Sequence, residues 1–332
     1  MTARRDPAAE VAARFQKFRT RQNAGFYDAL AAFNGRQVDH PCLSLHFEYA
    51  VTANDRGRRS AERILRAAPF TPRGLRGLRR RRPRVLDVGC AYGGFLVAFA
   101  ERGASVTGIE VDRSYLQLAL VNLREQGIDA HLVEGDATHP RPGFRGAFDL
   151  IIANDVAEHV VSLEGFLSNI REWLAPGGTA YLEIPNGAQP HAVISDGHYG
   201  LFGITLLDFA HAREYFEALH PGDVMDTYRY PTLFEYRAAF DGAGLTFEIL
   251  EDTLSIPALG VAEVDAQMEQ LRAAVPDGLS RVPAVSRDLV AARLDAYLAR
   301  AAAAPRATAE EQRGFLLDYA PGFWMVLARR AS

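Results

Sequence analysis

"VLDVGCAYGG", residues 85–94, decides how the rest of the chain is read. An apolar run carrying one carboxylate, Asp87, gives way within six residues to Gly89, Gly93 and Gly94. The run reads as a short buried strand, and the next apolar stretch, "GFLVAFAERG" at 94–103, as a helix stopped by Gly103. Glycine lets the backbone turn sharply and approach a ligand, and the helix that follows offers unpaired N–H groups. Asp87 narrows the choice of ligand. Two residues before Gly89, it repels a pyrophosphate and attracts an ammonium or sulfonium group. Gly89, Ala91 and Gly94 match only a degraded G-x-G-x-x-G dinucleotide fingerprint.

Downstream, strands and helices alternate. "SVTGIE" (105–110), "AHLVEGD" (130–136), "FDLIIAN" (148–154) and "GTAYLEIP" (178–185) read as strands two to five. Between them, "DRSYLQLALVNLREQG" (112–127) is a helix with Asp112 or Ser114 as N-cap and Gly127 as its stop. A second helix places Phe166, Ile170, Trp173 and Leu174 on one face before Pro176-Gly177-Gly178. This alternation predicts a parallel sheet with crossover helices. Residues 187–232, rich in His, Tyr, Gly and Asp, interrupt it as a loop-rich insertion over a site. The helix "TLFEYRAAFDGAG" (232–244) and the strand "LTFEIL" (245–250) resume the core, a helical segment covers 256–313, and "GFWMVLARR" (322–330) supplies the last strand. Upstream, Val11, Phe15, Phe18, Phe26, Leu30 and Phe33 fall at helical spacings, and "RRSAERILRAA" (58–68) is a further helix before an arginine-rich connector.

Composition excludes several classes of protein. The formal net charge of −4 gives no reason to expect a nucleic-acid partner, and the arginine run 79–82 reads as solvated linker. Cys42 and Cys90 lie 48 residues apart without a Cys-x-x-Cys, which argues against a disulfide framework or thiolate zinc site and fits a reducing cytoplasm. The first residues lack an apolar signal core, and no run reaches membrane-spanning length, about 18 apolar residues. No membrane partner is expected.

Polar residues end the strands. Glu110 closes the second, 21 residues after Gly89, where an acid accepts hydrogen bonds from a ribose diol; Asp136 closes the third, and Asn154 and Asp155 the fourth. At this point the chain resembles a class I S-adenosylmethionine-dependent methyltransferase of the small-molecule group. The resemblance covers residues 83–186 and rests on "VLDVGCAYGGF", "VTGIE", "EGDA", "FDLIIANDVAEHV" and "LAPGGTAYLEIPN" together, with Ala91 standing where glycine is commoner. It implies a Rossmann-like, doubly wound α/β fold: a mostly parallel seven-stranded sheet with an N-terminal helical cap and insertions after strands five and six. The expected divisions are 1–82 (cap, as added core layer or lid, with linker), 83–186 (cofactor core), 187–232 (acceptor insertion) and 233–332 (end of the sheet, with helical insertion 256–313).

The implied cofactor is S-adenosyl-L-methionine, with Asp87, Gly89 and Gly93 along its methionine part, Glu110 at the ribose, Asp136 and Ala137 at the adenine, and Asn154 near the methionine end. Tyr92 is the aromatic best placed for cation–π contact with a sulfonium. The expected activity is methyl transfer to a small-molecule acceptor, possible in specialised metabolism; a lyase or cyclase releasing methylthioadenosine and a non-catalytic cofactor-binding protein are the alternatives. His159, after the fourth strand, is a candidate base, and His198 with Tyr199 in "DGHYGLFG" are candidates for acceptor binding or base catalysis. His191, Asp196, Asp208, His211 and Tyr215 crowd the same insertion, but their spacing matches no compact metal motif and no metal is expected.

Overall fold

The computed structural model describes residues 13, 15, 17–18, 20, 23–34, 49–68, 81–250 and 260–331. Val11, Cys42, residues 256–259 of the helical insertion and most of the arginine-rich connector, each read from sequence above, lie outside the described residues.

Among the described residues, helices α1 (Ala24–Asn34) and α2 (Ala53–Ala67) precede β1 (Arg84–Val88). Then follow α3 (Gly94–Glu101), β2 (Ser105–Glu110), α4 (Arg113–Glu125), β3 (His131–Glu134), β4 (Phe148–Asn154), α5 (Leu163–Trp173) and β5 (Leu174–Pro185). The strands form one seven-stranded sheet of order β3-β2-β1-β4-β5-β7-β6, in which β1 to β5 run parallel. The last strand, β7 (Phe323–Ala328), inserts antiparallel between β5 and the two-residue β6 (Glu248–Ile249). Strand order reverses between β1 and β4, so the glycine loop after β1 opens at the switch point, where ligands of open α/β sheets bind.

Apolar side chains pack helices on both faces. One face joins Phe166, Ile170 and Trp173 of α5 to Tyr236 and Phe240 of α8 (Leu233–Gly242) and to Trp324; the other joins Leu96 and Phe99 of α3 to Ile64 of α2. Helix α2 crosses α3 at two glycines. A Cβ on Gly57 would lie 2.3 Å from the Gly94 carbonyl oxygen, and one on Gly94 2.3 Å from that of Ala53. Gly94, the last glycine of the opening motif, is therefore required by helix packing. The added layer continues in α1, whose Phe26, Leu30 and Phe33 bury against Tyr92 and Leu118, while its first amides donate to the Glu125 carboxylate. Phe18, assigned to the same apolar stripe, is 44% exposed.

Other boundaries moved for local reasons. Asp112, not Ser114, caps α4, its side chain accepting from the Ser114 amide. Strand β5 starts at Leu174, ahead of the proline-glycine stop, and absorbs Pro176 to Gly178 through a register shift against β4. Of "LTFEIL", Glu248 and Ile249 pair with β7 as β6, and Leu245 adds an isolated bridge to Arg330. The insertion after β5 holds α6 (Pro190–Ile194) and a three-turn helix, α7 (Phe209–Leu219). It shares a second core with α9 (Val261–Arg281), α10 (Ala284–Ala303) and α11 (Ala309–Tyr319), built on Tyr199, Phe202, Tyr215, Met268, Leu294 and Tyr297. The insertions after strands five and six thus form one helical layer.

Candidate active site

The glycine loop is held left-handed at Gly89 (φ 68°), Ala91 (φ 40°) and Gly93 (φ 78°). Glycine adopts that region freely; Ala91 is strained in it. Glu110 fixes the loop. Its Oε2 accepts from the Ala91 amide and its Oε1 from the Asp112 amide, both at 3.0 Å. Below the loop, Asp87 is 2% exposed and its Oδ2 has no hydrogen-bond partner. Burial, then the neighbouring Glu110 charge, pushes the Asp87 carboxyl well above its ordinary range. Burial likewise raises Glu110, against the lowering effect of the Asp112, Ala91 and Val111 amides. Among the described residues, no ion pair to a basic side chain is formed by either carboxylate. Two buried acids side by side make a place for a cation.

Asp136 lies beyond β3, its Oδ1 accepting from the Thr138 amide (2.7 Å) and hydroxyl (2.8 Å), its Oδ2 near His139 Nδ1 (3.1 Å). Burial would raise it, but these donors hold it below the usual carboxylate value. Ala137 is buried beside it, its carbonyl accepting from Asn169. Asn154 ends β4 and donates to Asp155 Oδ2 at 2.7 Å. The Tyr92 ring packs edge-on against Tyr115, with centroids 5.3 Å apart, under the N-terminal layer.

A second cluster stands at the ends of β4 and β5. Asp155, a non-glycine at φ 55°, turns the chain so that Glu158 and His159 follow in one short turn. His159 Nε2 lies 3.1 Å from His198 Nε2, the rings nearly perpendicular. His159 Nδ1 is 2.9 Å from the Asp226 carbonyl oxygen, and His198 Nδ1 is 2.6 Å from the Tyr230 hydroxyl. Glu158 is 1% exposed beside them, and burial pushes its carboxyl up to about 8. Burial acts the same way on Asp226, but His159, Tyr199 and His198 outweigh it and hold that group low. At the rim, Arg63 of α2 pairs with Glu183 of β5 at 2.8 Å, so the N-terminal layer reaches this end of the sheet.

The seven polar residues read from the insertion separate into different jobs. His198 faces His159 as described. Tyr199 donates to the Asp226 carboxylate and accepts from the Asp226 and Thr227 amides (2.9 and 3.1 Å), so its hydroxyl braces a loop. Asp196 accepts from the amides of His198, Tyr199 and Leu201 and shapes the turn that presents His198. Asp208 caps α7 and pairs with His211, Tyr215 is buried in the second core, and His191 is exposed. Glu158, Asp226 and Tyr230 were missed. Glu158 had a local signal, an acid in an otherwise apolar turn beside His159; Asp226 and Tyr230 lie 67 and 32 residues from their histidine partners and carry none.

A profile described as a methyltransferase domain matches residues 53–249, more than half of the chain. The chain belongs to the methyltransferase-domain family. Its sheet order and antiparallel β7 give this chain the class I S-adenosylmethionine-dependent methyltransferase fold. It is similar to the ubiquinone biosynthesis O-methyltransferase of Shewanella pealeana, 28% identical over 103 residues, covering 31% of this chain and 44% of that protein. A Pseudomonas aeruginosa protein of the same name is 31% identical over 103 residues, with the same shares covered. The match thus spans less than half the length of these curated relatives. Among solved structures, Haemonchus contortus phosphoethanolamine N-methyltransferase 2 in complex with S-adenosyl-L-methionine matches with TM-score 0.42 and 15% identity, over 82% of this chain and 52% of that one.

Proposed function

We propose that this methyltransferase moves a methyl group from S-adenosyl-L-methionine to a small-molecule acceptor, with the cofactor at the glycine loop and the acceptor beside His159 and His198. The observation that carries the reading is the pair of buried, uncompensated carboxylates, Asp87 and Glu110, under a left-handed loop at the switch point. The residues fit the cofactor. Asp87, with Gly89 and Gly93 giving access, takes the ammonium end through its unpartnered oxygen. Glu110 spends one acceptor direction per oxygen on the loop and keeps others for a ribose diol. Asp136 and Ala137 form the adenine side, Tyr92 backs the loop, and Asn154 stands toward the methionine end. When bound, the cofactor supplies an electrophilic methyl carbon on a positively charged sulfur.

At the acceptor side the chain's work is orientation and proton removal. His159 and His198 are the groups open to the cleft, their side chains 28% and 25% exposed, and either accepts an acceptor proton at Nε2. Tyr199 is assigned to positioning, because its hydroxyl is already engaged in hydrogen bonds to the side chains and amides of the 226–227 loop. The helical layer after β5 anchors Tyr199 beside His198, so the insertion supplies this side of the site. Incubation with S-adenosylmethionine and a metabolite extract, read by mass spectrometry, tests the reading. S-adenosylhomocysteine is expected to rise only with extract; enzyme-dependent methylthioadenosine without extract overturns it in favour of cyclisation.

A further inference from the structure

Glu158, His159 and His198 stand apart from the proton-transfer role in one respect: their donor atoms converge on a common point. Glu158 Oε1 lies 3.7 Å from His159 Nε2 and 3.8 Å from His198 Nε2, and the two nitrogens are 3.1 Å apart. Donors bound to one ion at about 2.0–2.2 Å, with angles between square and tetrahedral, lie roughly 2.8–3.6 Å from one another. The triangle needs only a few tenths of an ångström of contraction. Both Glu158 oxygens are buried and lack a hydrogen-bond partner, a costly state that a bound cation relieves.

The surroundings orient the donors. The Asp226 carbonyl can only accept, so it fixes the proton of a neutral His159 on Nδ1 and leaves the Nε2 lone pair facing the triangle. A ligating histidine characteristically donates its other N–H to such an oxygen. The Tyr230 hydroxyl, 2.6 Å from His198 Nδ1, can receive the corresponding proton from His198. Those ring positions are then committed, and both Nε2 atoms point inward.

We infer that Glu158, His159 and His198 form a three-ligand site for a divalent first-row transition cation, with further coordination positions open to the acceptor cleft. Two imidazoles and one carboxylate suit zinc, iron, cobalt or manganese ions better than magnesium or calcium, which favour all-oxygen sites. The sequence spacing concealed the set, since His198 lies 39 residues beyond His159 and the β5 insertion must fold back to bring it in. Resting on the methyltransferase reading, the ion replaces direct proton removal by His159 or His198, whose Nε2 lone pairs it occupies: it holds an acceptor oxygen and acidifies its hydroxyl, so that the proton leaves to solvent before the oxygen–methyl bond forms and the sulfur–methyl bond breaks.

Full-length protein stripped with chelator and titrated with cobalt(II) chloride, by calorimetry and visible absorption, tests the site. The expected result is one ion per chain, bound at least about a hundredfold more weakly in Glu158→Gln and in His198→Ala, with the exposed control His191→Ala unchanged. S-adenosylhomocysteine affinity, measured on the same preparations, should be preserved in all three variants and reports that each is folded. No cobalt binding by the wild-type chain leaves a simple His–His hydrogen bond and overturns the proposal, as does equal binding by Glu158→Gln and His198→Ala. Cobalt binding without S-adenosylhomocysteine binding by the wild type keeps the metal site and defeats the methyltransferase reading instead.

Discussion

The glycine loop and the histidine cluster are built in opposite ways. At the glycine loop, Asp87, Gly89, Glu110 and Asp136 sit at the ends of consecutive strands, and the bonds that hold them join close neighbours in the fold's simplest repeat. At the proposed acceptor end, Glu158 and His159 come from the turn after β4, His198 from the insertion, and Asp226 and Tyr230 from the chain leading into α8. The first arrangement is local and set by the parallel sheet. The second depends on a helical layer whose two halves are separated by β6 and must find each other.

If the two ends act independently, changes at one leave the other intact. The largest expected effect is that of His198→Ala, which should lower turnover about a hundredfold or more, the usual contribution of a proton-transfer or ligand group, while S-adenosylhomocysteine affinity stays within about twofold. Steady-state rates paired with calorimetry read both quantities. A collapse of cofactor affinity would show that the ends are coupled and break the comparison. Glu110→Ala is the converse change. It should weaken S-adenosylhomocysteine by roughly ten- to a hundredfold, the value of a charge-assisted acceptor of about 1.5–3 kcal/mol, and leave the rate at saturating cofactor nearly unchanged. Unaltered affinity would place the ribose elsewhere.

The contrast explains what could be read in advance. The alternation of strands and helices, a cap at Asp112 or Ser114 and the stops at Gly103 and Gly127 follow from patterns within about twenty residues, where strand ends and helix caps carry their own chemical signature. His159 and His198 were legible as reactive types but not as partners. Tyr199 looked catalytic by residue type, yet its hydroxyl is spent on the 226–227 loop, a contact across 27 residues. Gly94 looked like ligand access and serves the crossing of α2 over α3, because close packing of distant helices leaves no mark beyond the glycine itself.

Asp87 sharpens the comparison through pH. Its folded pKa is raised above 3.8 by burial and by Glu110, so its stabilising contribution is full below about pH 3.8 and is lost as pH rises through the folded value. An asparagine there does not titrate. Asp87→Asn should therefore melt higher than wild type in the ligand-free state, by an amount that grows as pH is raised from about 4 to about 8, on the order of a few degrees. The same variant should bind S-adenosylhomocysteine about tenfold more weakly, since the ammonium loses its anionic partner. Parallel melting curves across the pH range, with and without ligand, separate the two effects; a pH-independent difference would remove the buried-charge account of this end.

The smallest effect compares the two strained residues. Ala91 (φ 40°) and Asp155 (φ 55°) both hold left-handed conformations, but only Asp155 has a side chain that is itself hydrogen-bonded there, through Asn154. A left-handed non-glycine costs about 1–2 kcal/mol, whereas glycine adds roughly 0.5–1 kcal/mol of unfolded-chain entropy, so Ala91→Gly should gain around 0.5–1 kcal/mol net. In a chain of this size that is a rise of roughly 1–3 °C in melting temperature. Asp155→Gly relieves the same backbone strain, yet also removes the Asn154 contact and the buried carboxyl beside Glu158, so it should leave the acceptor-end turn less well defined and reduce turnover. Opposite consequences from one kind of substitution would follow from the difference between the ends: the glycine loop is shaped by its backbone, with Glu110 bracing it from outside, whereas the acceptor turn is shaped by the side chain at its own strained residue. Equal responses in stability and in turnover at both positions would remove that distinction.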